Sequence, residues 1–389
     1  MPEDKILYYL FLIFSGAAIL ATITLYARQA MIVAYILLGI LLSPSALNLV
    51  PDIHLIQHFA DIGIIFLLFL LGLNLHPQKL YKLFGHTLLI TLVSSFLFAV
   101  TGFGFSLLTG FEITDAVLIG AAMMFSSTII GLKLLPTTVL HHQYTGELII
   151  SILLLQDIIA IIILLFIPVK GLAEMSFNSL LVPFIALPGL VLFAHFLQKY
   201  VLSYLLLKYD TIQEYVFLLA IGWCLGIAEL AKWLGLSAEI GAFIAGVAMA
   251  ASPISTFIAE RLKPLRDFFL ILFFFALGAT SQLEMLADVF IPALLLALIM
   301  LILKPVVFKQ LMTRAGEPAE LSAEVGIRLG QISEFSLLIA ALAMMQGLMS
   351  ERALSLIQAS TLLTFIFSPY LIVFRYPTPI SVNPDLRRD

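Results

Sequence analysis

Ile150-Ser-Ile-Leu-Leu-Leu-Gln156-Asp157-Ile-Ile-Ala-Ile161 sets one carboxamide and one carboxylate in the middle of an apolar run. The run extends to about residues 146–168. As a helix rising about 1.5 Å per residue, it is long enough to cross a hydrocarbon layer about 30 Å thick. The rest of the chain agrees with a membrane reading. Of 389 residues, 62% are hydrophobic and 11% charged, against about 25% charged in an average soluble domain. No soluble fold of this length hides so much apolar surface, so lipid must cover much of it. With 146–168 as the sixth, thirteen apolar segments can be marked. The others lie near 6–25, 30–43, 60–75, 84–109, 114–135, 177–199, 214–231, 237–251, 266–280, 289–310, 323–346 and 356–374. Segments 30–43 and 237–251 are short for a bilayer. Between segments the chain carries turn chemistry at Ser43-Pro44-Ser45, His76-Pro77, Pro136, Pro168, Ser252-Pro253 and Pro377. The expected fold is an all-α polytopic membrane protein of about 13 transmembrane helices.

An odd number of crossings puts the termini on opposite sides. Cytoplasmic loops are the richer in Lys and Arg. Placing the N-terminus outside puts 14 basic residues inside and 4 outside, with Lys304 and Arg328 within spans, which accounts for all 20. The expected location is therefore the inner (plasma) membrane, with the C-terminus cytoplasmic. Glu3, Asp4 and Lys5 precede the first apolar stretch where a signal peptide would have a cationic region, so Ile6 to Leu25 is read as a helix that stays. The net charge of −4 suggests no nucleic-acid partner. Cys224, the single cysteine, lies in an apolar segment and reads as packing. There is no Gly-x-Gly-x-x-Gly and no P-loop. Residues 1–376 are expected to form one transmembrane domain and 377–389 a short cytoplasmic tail.

Ionisable groups inside a membrane cost several kcal/mol unless paired or hydrated, so the few that occur point to function. Asp157 is the first, with a packing salt bridge or helix–helix hydrogen bond as the alternative. Gln156 beside it offers a neutral oxygen to a cation, or an interhelical hydrogen bond. Lys304, in Leu-Ile-Leu-Lys304-Pro305-Val, either takes part in transport, or snorkels to the interface or neutralises helix dipoles with no part in it. Two other segments are polar at mid-span. The fifth reads Ala-Met-Met-Phe-Ser126-Ser127-Thr128-Ile, and the twelfth reads Arg328-Leu-Gly330-Gln331-Ile-Ser333-Glu334-Phe-Ser336. Both read as places where a helix opens. A broken helix exposes N–H donors at one half-end and carbonyls at the other, and the carbonyls can replace a cation's hydration shell. Glu334 would balance the positive half-helix ends. By position alone, helices 1–6 and 8–13 form inverted repeats with helix 7 as linker, and their discontinuous helices cross at the midplane. Weaker signals read as structure: His54 and His58 as a solvated face in an outside loop, His141-His142 in an inside loop, Glu239 as interfacial, Gly241 and Gly246 as close helix contacts.

These residues resemble the monovalent cation/proton antiporters of the Kef branch. Ala34-Tyr-Ile-Leu-Leu-Gly-Ile-Leu-Leu-Ser43-Pro44-Ser looks like that family's second-helix pattern. Asp61-Ile-Gly-Ile-Ile-Phe-Leu-Leu-Phe-Leu-Leu-Gly-Leu-Asn74-Leu is similar to the third. Ser126-Ser127-Thr128, Gln156-Asp157, Leu236-Ser-Ala-Glu-Ile-Gly-Ala-Phe-Ile-Ala-Gly246 and Gly330-Gln-Ile-Ser-Glu334-Phe-Ser336 follow in family order. The departures are Ser43 and Ser333 where the family has Gly, and Asn74 where it has Glu. The resemblance implies a homodimer in the lipid bilayer, with a dimer domain and a moving core domain. It implies that K⁺, or Na⁺, is exchanged for H⁺ by alternating access. Asp157 then binds the monovalent cation, with Gln156, Ser126, Ser127 and Thr128 around it and Lys304 and Glu334 compensating charge. The Gln-Asp pair looks like the potassium-handling members. No cofactor is expected beyond the transported K⁺ or Na⁺ and H⁺. The nucleotide-binding tail of the Kef proteins is not in this sequence, so a separate or truncated regulatory domain is the further partner. The rival readings are a cation channel, a mainly sodium-specific antiporter and a symporter for an organic anion. No nucleophile–base or metal constellation suggests an enzyme.

Overall fold

The computed structural model describes residues 3–27, 29, 31–52, 54–74, 77–135, 144–167, 177–209, 212–250, 252, 255–281 and 283–378. The fold is all-α and built around apolar helices. In chain order these are α1 (Glu3–Tyr26), α2 (Met31–Leu42), α3 (His54–Asn74), α4 (Pro77–Leu108), α5 (Ile113–Met123), α6 (Thr128–Lys133) and α7 (Tyr144–Phe166). Then come α8 (Phe177–Leu197), which continues through a π-helical turn (Gln198–Leu202) into α9 (Ser203–Lys208), α10 (Gln213–Trp233), α11 (Ala238–Ala250) and α12 (Ser255–Ala279). The last are α13 (Leu283–Arg314), α14 (Ala319–Arg328), α15 (Glu334–Met345) and α16 (Glu351–Val373). Among the described residues, 8 helical stretches are long and apolar enough to cross a membrane, and α2, α5, α11 and α15 are shorter apolar helices.

Two differences from the sequence reading have plain causes. The tenth segment is helical from Ser255 rather than from about residue 266, because Glu260, Arg261, Lys263 and Arg266 interrupt the apolar run without breaking the helix. His54 and His58 occupy the first turns of α3 rather than a loop. His141, His142, Pro136, Pro168, Pro253 and the tail from residue 379 lie outside the described residues.

The chain divides into two compact units. The first comprises Met1–Leu49, Lys82–Ile167 and Gly278–Asp389. Its core is a cluster from α4, α7, α13 and α14, including Ile90, Phe98, Ile149, Ile152, Phe308, Val325 and Leu329. Phe98 meets Phe308 edge to face, with ring centroids 5.5 Å apart. The second unit comprises Val50–Tyr81 and Pro168–Leu277. In it α3 packs closely on α11. A Cβ on Gly246 would strike the Phe69 carbonyl, and one on Gly72 the Phe243 carbonyl, so both positions need glycine for backbones to touch. Gly241 likewise lies against Ile227 and Ala228 of α10.

Candidate functional site

The candidate residues converge in the first unit. The fifth and twelfth segments are each two helices. α5 stops at Met123 and α6 starts at Thr128; α14 stops at Arg328 and α15 starts at Glu334. Each interruption frees backbone donors and acceptors that no helix satisfies, and in a membrane they need partners from the protein.

The two breaks satisfy one another. Ser126 Oγ donates to the Leu329 carbonyl at 2.8 Å. Gln331 Nε2 donates to the Ser127 carbonyl at 3.2 Å, and Ser336 Oγ donates to the Ala122 carbonyl. Neighbouring helices supply further partners. Gln156 of α7 bridges the first break, accepting from Ser126 N–H at 3.0 Å and donating to the Met124 carbonyl at 3.2 Å. Thr364 and Ser368 of α16 serve the second, Thr364 Oγ1 accepting from Ile332 N–H at 3.1 Å and Ser368 Oγ donating to Gln331 Oε1 at 2.9 Å. Ser333 caps α15, its Oγ accepting from Phe335 N–H at 3.1 Å. Serine is a favoured residue at a helix start, so Ser333 suits the opening of α15.

Asp157 is 1% exposed. Thr128 Oγ1, at the opening of α6, lies 3.2 Å from its Oδ1 and 3.4 Å from its Oδ2 and donates to the carboxylate. Gln156, Ser126 and Ser127 are also fully buried. Glu334 begins α15 and is buried, where a negative charge complements the helix amino end.

Lys304 of α13 is fully buried. Its ammonium donates to the Phe125 carbonyl just past α5 and, at 3.1 Å, to the Gln331 carbonyl just past α14. Ser126 Oγ is 3.5 Å away and the Phe98 ring centroid 5.2 Å. One cation thus sits on carbonyls at the carboxyl-terminal ends of both half-helices, where the partial charge is negative. Among the described residues its partners are carbonyls, a hydroxyl and a ring, not a carboxylate. Ordered oxygens beside a buried carboxylate are groups that could hold a hard monovalent cation or a proton.

The sequence reading brought Asp157, Gln156, Ser126, Ser127, Thr128, Lys304 and Glu334 forward, and all lie in this cluster. It missed Thr364 and Ser368, because a hydroxyl in an apolar helix usually bonds its own backbone. It also placed Arg328 in a span without a role.

The profile of the family described as sodium/hydrogen exchanger, transmembrane, matches residues 10–373. K(+) efflux antiporter 4 of Arabidopsis thaliana is 27% identical over 356 residues, covering 89% of this chain and 60% of that protein. The glutathione-regulated potassium-efflux system protein KefC of Salmonella schwarzengrund is 28% identical over 371 residues, covering 93% of this chain and 59% of that protein. The chain thus spans about three fifths of the length of these curated relatives. Among solved structures, the sodium proton antiporter MjNhaP1 from Methanocaldococcus jannaschii at pH 8 superposes with a TM-score of 0.72 at 19% identity, covering 95% of this chain and 96% of the other. At that identity the likeness is one of fold.

Proposed function

The chain belongs to the transmembrane sodium/hydrogen exchanger family, and from that premise we propose that it exchanges K⁺, or Na⁺, for H⁺ by alternating access. The observation that carries the reading is the buried Asp157 carboxylate, hydrogen-bonded to Thr128 at an interrupted helix. A bare carboxylate moving through lipid-walled protein costs several kcal/mol. The site therefore changes sides only when Asp157 holds a proton or a cation, and that rule alone makes exchange obligatory. K⁺ is favoured by the Gln156-Asp157 pair and by relatives named for potassium efflux. Gln156 holds the first break open through its two backbone bonds, and its oxygen has a second lone pair for the cation. The functional unit in this reading is a homodimer, and helices 1–6 and 8–13 are inverted repeats.

Cation-driven proton movement in proteoliposomes tests this. Protons and cations compete for one carboxylate, so where protons occupy it the apparent KM for the cation rises about tenfold per unit fall in pH, by mass action, with the maximal rate nearly unchanged. The sign follows from competition: more protons leave fewer empty carboxylates. Cation flux without proton movement would establish a channel, and a pH-independent KM would remove competition at Asp157.

The basic-residue asymmetry motivates the orientation. Cys224 is buried and gives a silent background. A thiol introduced by Met285→Cys is expected to react from outside, and one from Pro264→Cys only after permeabilisation. The reverse pattern would overturn the topology.

A further inference from the structure

Arg328 is a second buried cation in the first unit, and the exchange scheme does not use it. It is the last residue of α14, immediately before the second break, and is fully buried. Its guanidinium is used on every side. Nε donates to Glu324 Oε1 at 2.9 Å, and Nη2 lies 2.8 Å from the same oxygen. Nη1 donates to the Leu134 carbonyl at 3.0 Å, just past the end of α6. Nη2 also donates to the Pro377 carbonyl at 2.9 Å. The Tyr376 ring lies beneath, 5.6 Å from the guanidinium carbon. One side chain thus joins three chain segments: the end of α14, the end of α6, and the strap of residues 374–378 that follows the last helix.

The connection onward to the carboxylate is short. The residue after Arg328 is Leu329, whose carbonyl accepts from Ser126. Ser126 sits two residues before Thr128, the hydroxyl on Asp157. A shift of Arg328 therefore moves the oxygens around the ion through bonded neighbours. The strap is not idle packing either, since Arg375 and Tyr376 wall a cavity of about 690 Å³ with Pro305, Lys309, Glu324 and Ile327, next to the helix turn that carries Lys304.

We infer that Arg328 is a positioning residue: it holds α6, α14 and the strap of residues 374–378 in one register, and release of the strap loosens the ion site. The inference rests on the antiport reading. The guanidinium's planar fork reaches three acceptors in fixed directions, whereas an ammonium in its place carries the charge without the fork. Charge alone and register thus predict different outcomes for Arg328→Lys.

The experiment compares wild type, Arg328→Lys and Arg328→Gln, purified and reconstituted, with two readouts. One is the rate at which trypsin cuts after Arg375, which is exposed. The other is the KM of cation-driven proton exchange, set against its maximal rate. Both variants are expected to be cut at least about tenfold faster, the local opening that loss of charge-assisted bonds allows. Both are also expected to raise the cation KM at least about threefold, because register rather than folded amount has changed. Wild-type behaviour of Arg328→Lys on both readouts would show that charge suffices and overturn the inference. Faster cutting with unchanged KM would reduce the clamp to architecture and overturn it equally. Should neither variant fold, Glu324→Gln keeps the two carbonyl bonds and removes the ion pair. It is expected to move both readouts in the same direction, and wild-type values for both would overturn the inference. Failure of the wild type to exchange any cation would defeat the antiport reading and the positioning role with it. The cutting rates would then still decide the clamp.

Discussion

Asp157→Asn is expected to abolish cation-dependent proton exchange while leaving the protein folded. The substitution is nearly isosteric, and an amide oxygen still accepts from Thr128 Oγ1, which lies 3.2 Å from Asp157 Oδ1 in the wild type. Burial at 1% exposure makes the neutral side chain no harder to accommodate than the carboxylate. The melting temperature in detergent should therefore not fall. Function should. A charge-assisted contact is worth about 1.5–3 kcal/mol, so the cation loses roughly 10- to 150-fold in affinity from that term alone. The proton leg is lost altogether, because an amide neither takes up nor sheds a proton in this range. Proton uptake into cation-loaded liposomes should drop to that of protein-free liposomes at every pH. Coupled exchange in the variant would mean that another group carries the ion. Glu334 would be examined next, because it is a second buried carboxylate, at the opening of α15.

The candidate site was legible because membrane helices tolerate few polar groups. Ser126-Ser127-Thr128 and Gly330-Gln331-Ile332-Ser333-Glu334 stand out against apolar surroundings, and both fall at helix interruptions. Asp157 and Lys304 stand out on the same ground. The partners of Lys304 were not legible. Nothing in the local sequence says that Lys304 lies on the Phe125 and Gln331 carbonyls, since that is fixed by how α13 packs against both breaks. Arg328 shows the limit most clearly. Hydropathy places it inside a span, and Glu324 lies one turn back on the same helix, but its two carbonyl acceptors, Leu134 and Pro377, are distant in sequence. Helix ends fail for a related reason. The amphipathic start of α12 carries charges that lower its mean hydropathy, so a search for apolar runs finds only its second half.

Lys304→Ala is expected to cost the most stability of any substitution in the site. The ammonium satisfies carbonyls at both breaks, Phe125 on one side and Gln331 on the other. Truncation leaves buried acceptors without a donor, at about 1–3 kcal/mol each. It also opens a cavity where three methylenes and the ammonium lay beside Phe98, and large-to-alanine changes in cores cost about 2–5 kcal/mol. The negative ends of α5 and α14 would then face one another without a cation between them. The combined loss should lower the melting temperature by roughly 5 °C or more. Lys304→Met separates the contributions. It keeps most of the volume and none of the donors, so its deficit measures the lost bonds and the further fall in Lys304→Ala measures the cavity. Transport discriminates once more. If Lys304 serves only the half-helix ends, exchange in Lys304→Met stays electroneutral per cycle, although slower. If it also releases a proton in each cycle, the wild type moves two protons per cation, and the variant loses its response to membrane voltage. Wild-type melting together with wild-type transport in Lys304→Ala would contradict the view that this ammonium holds the two breaks together.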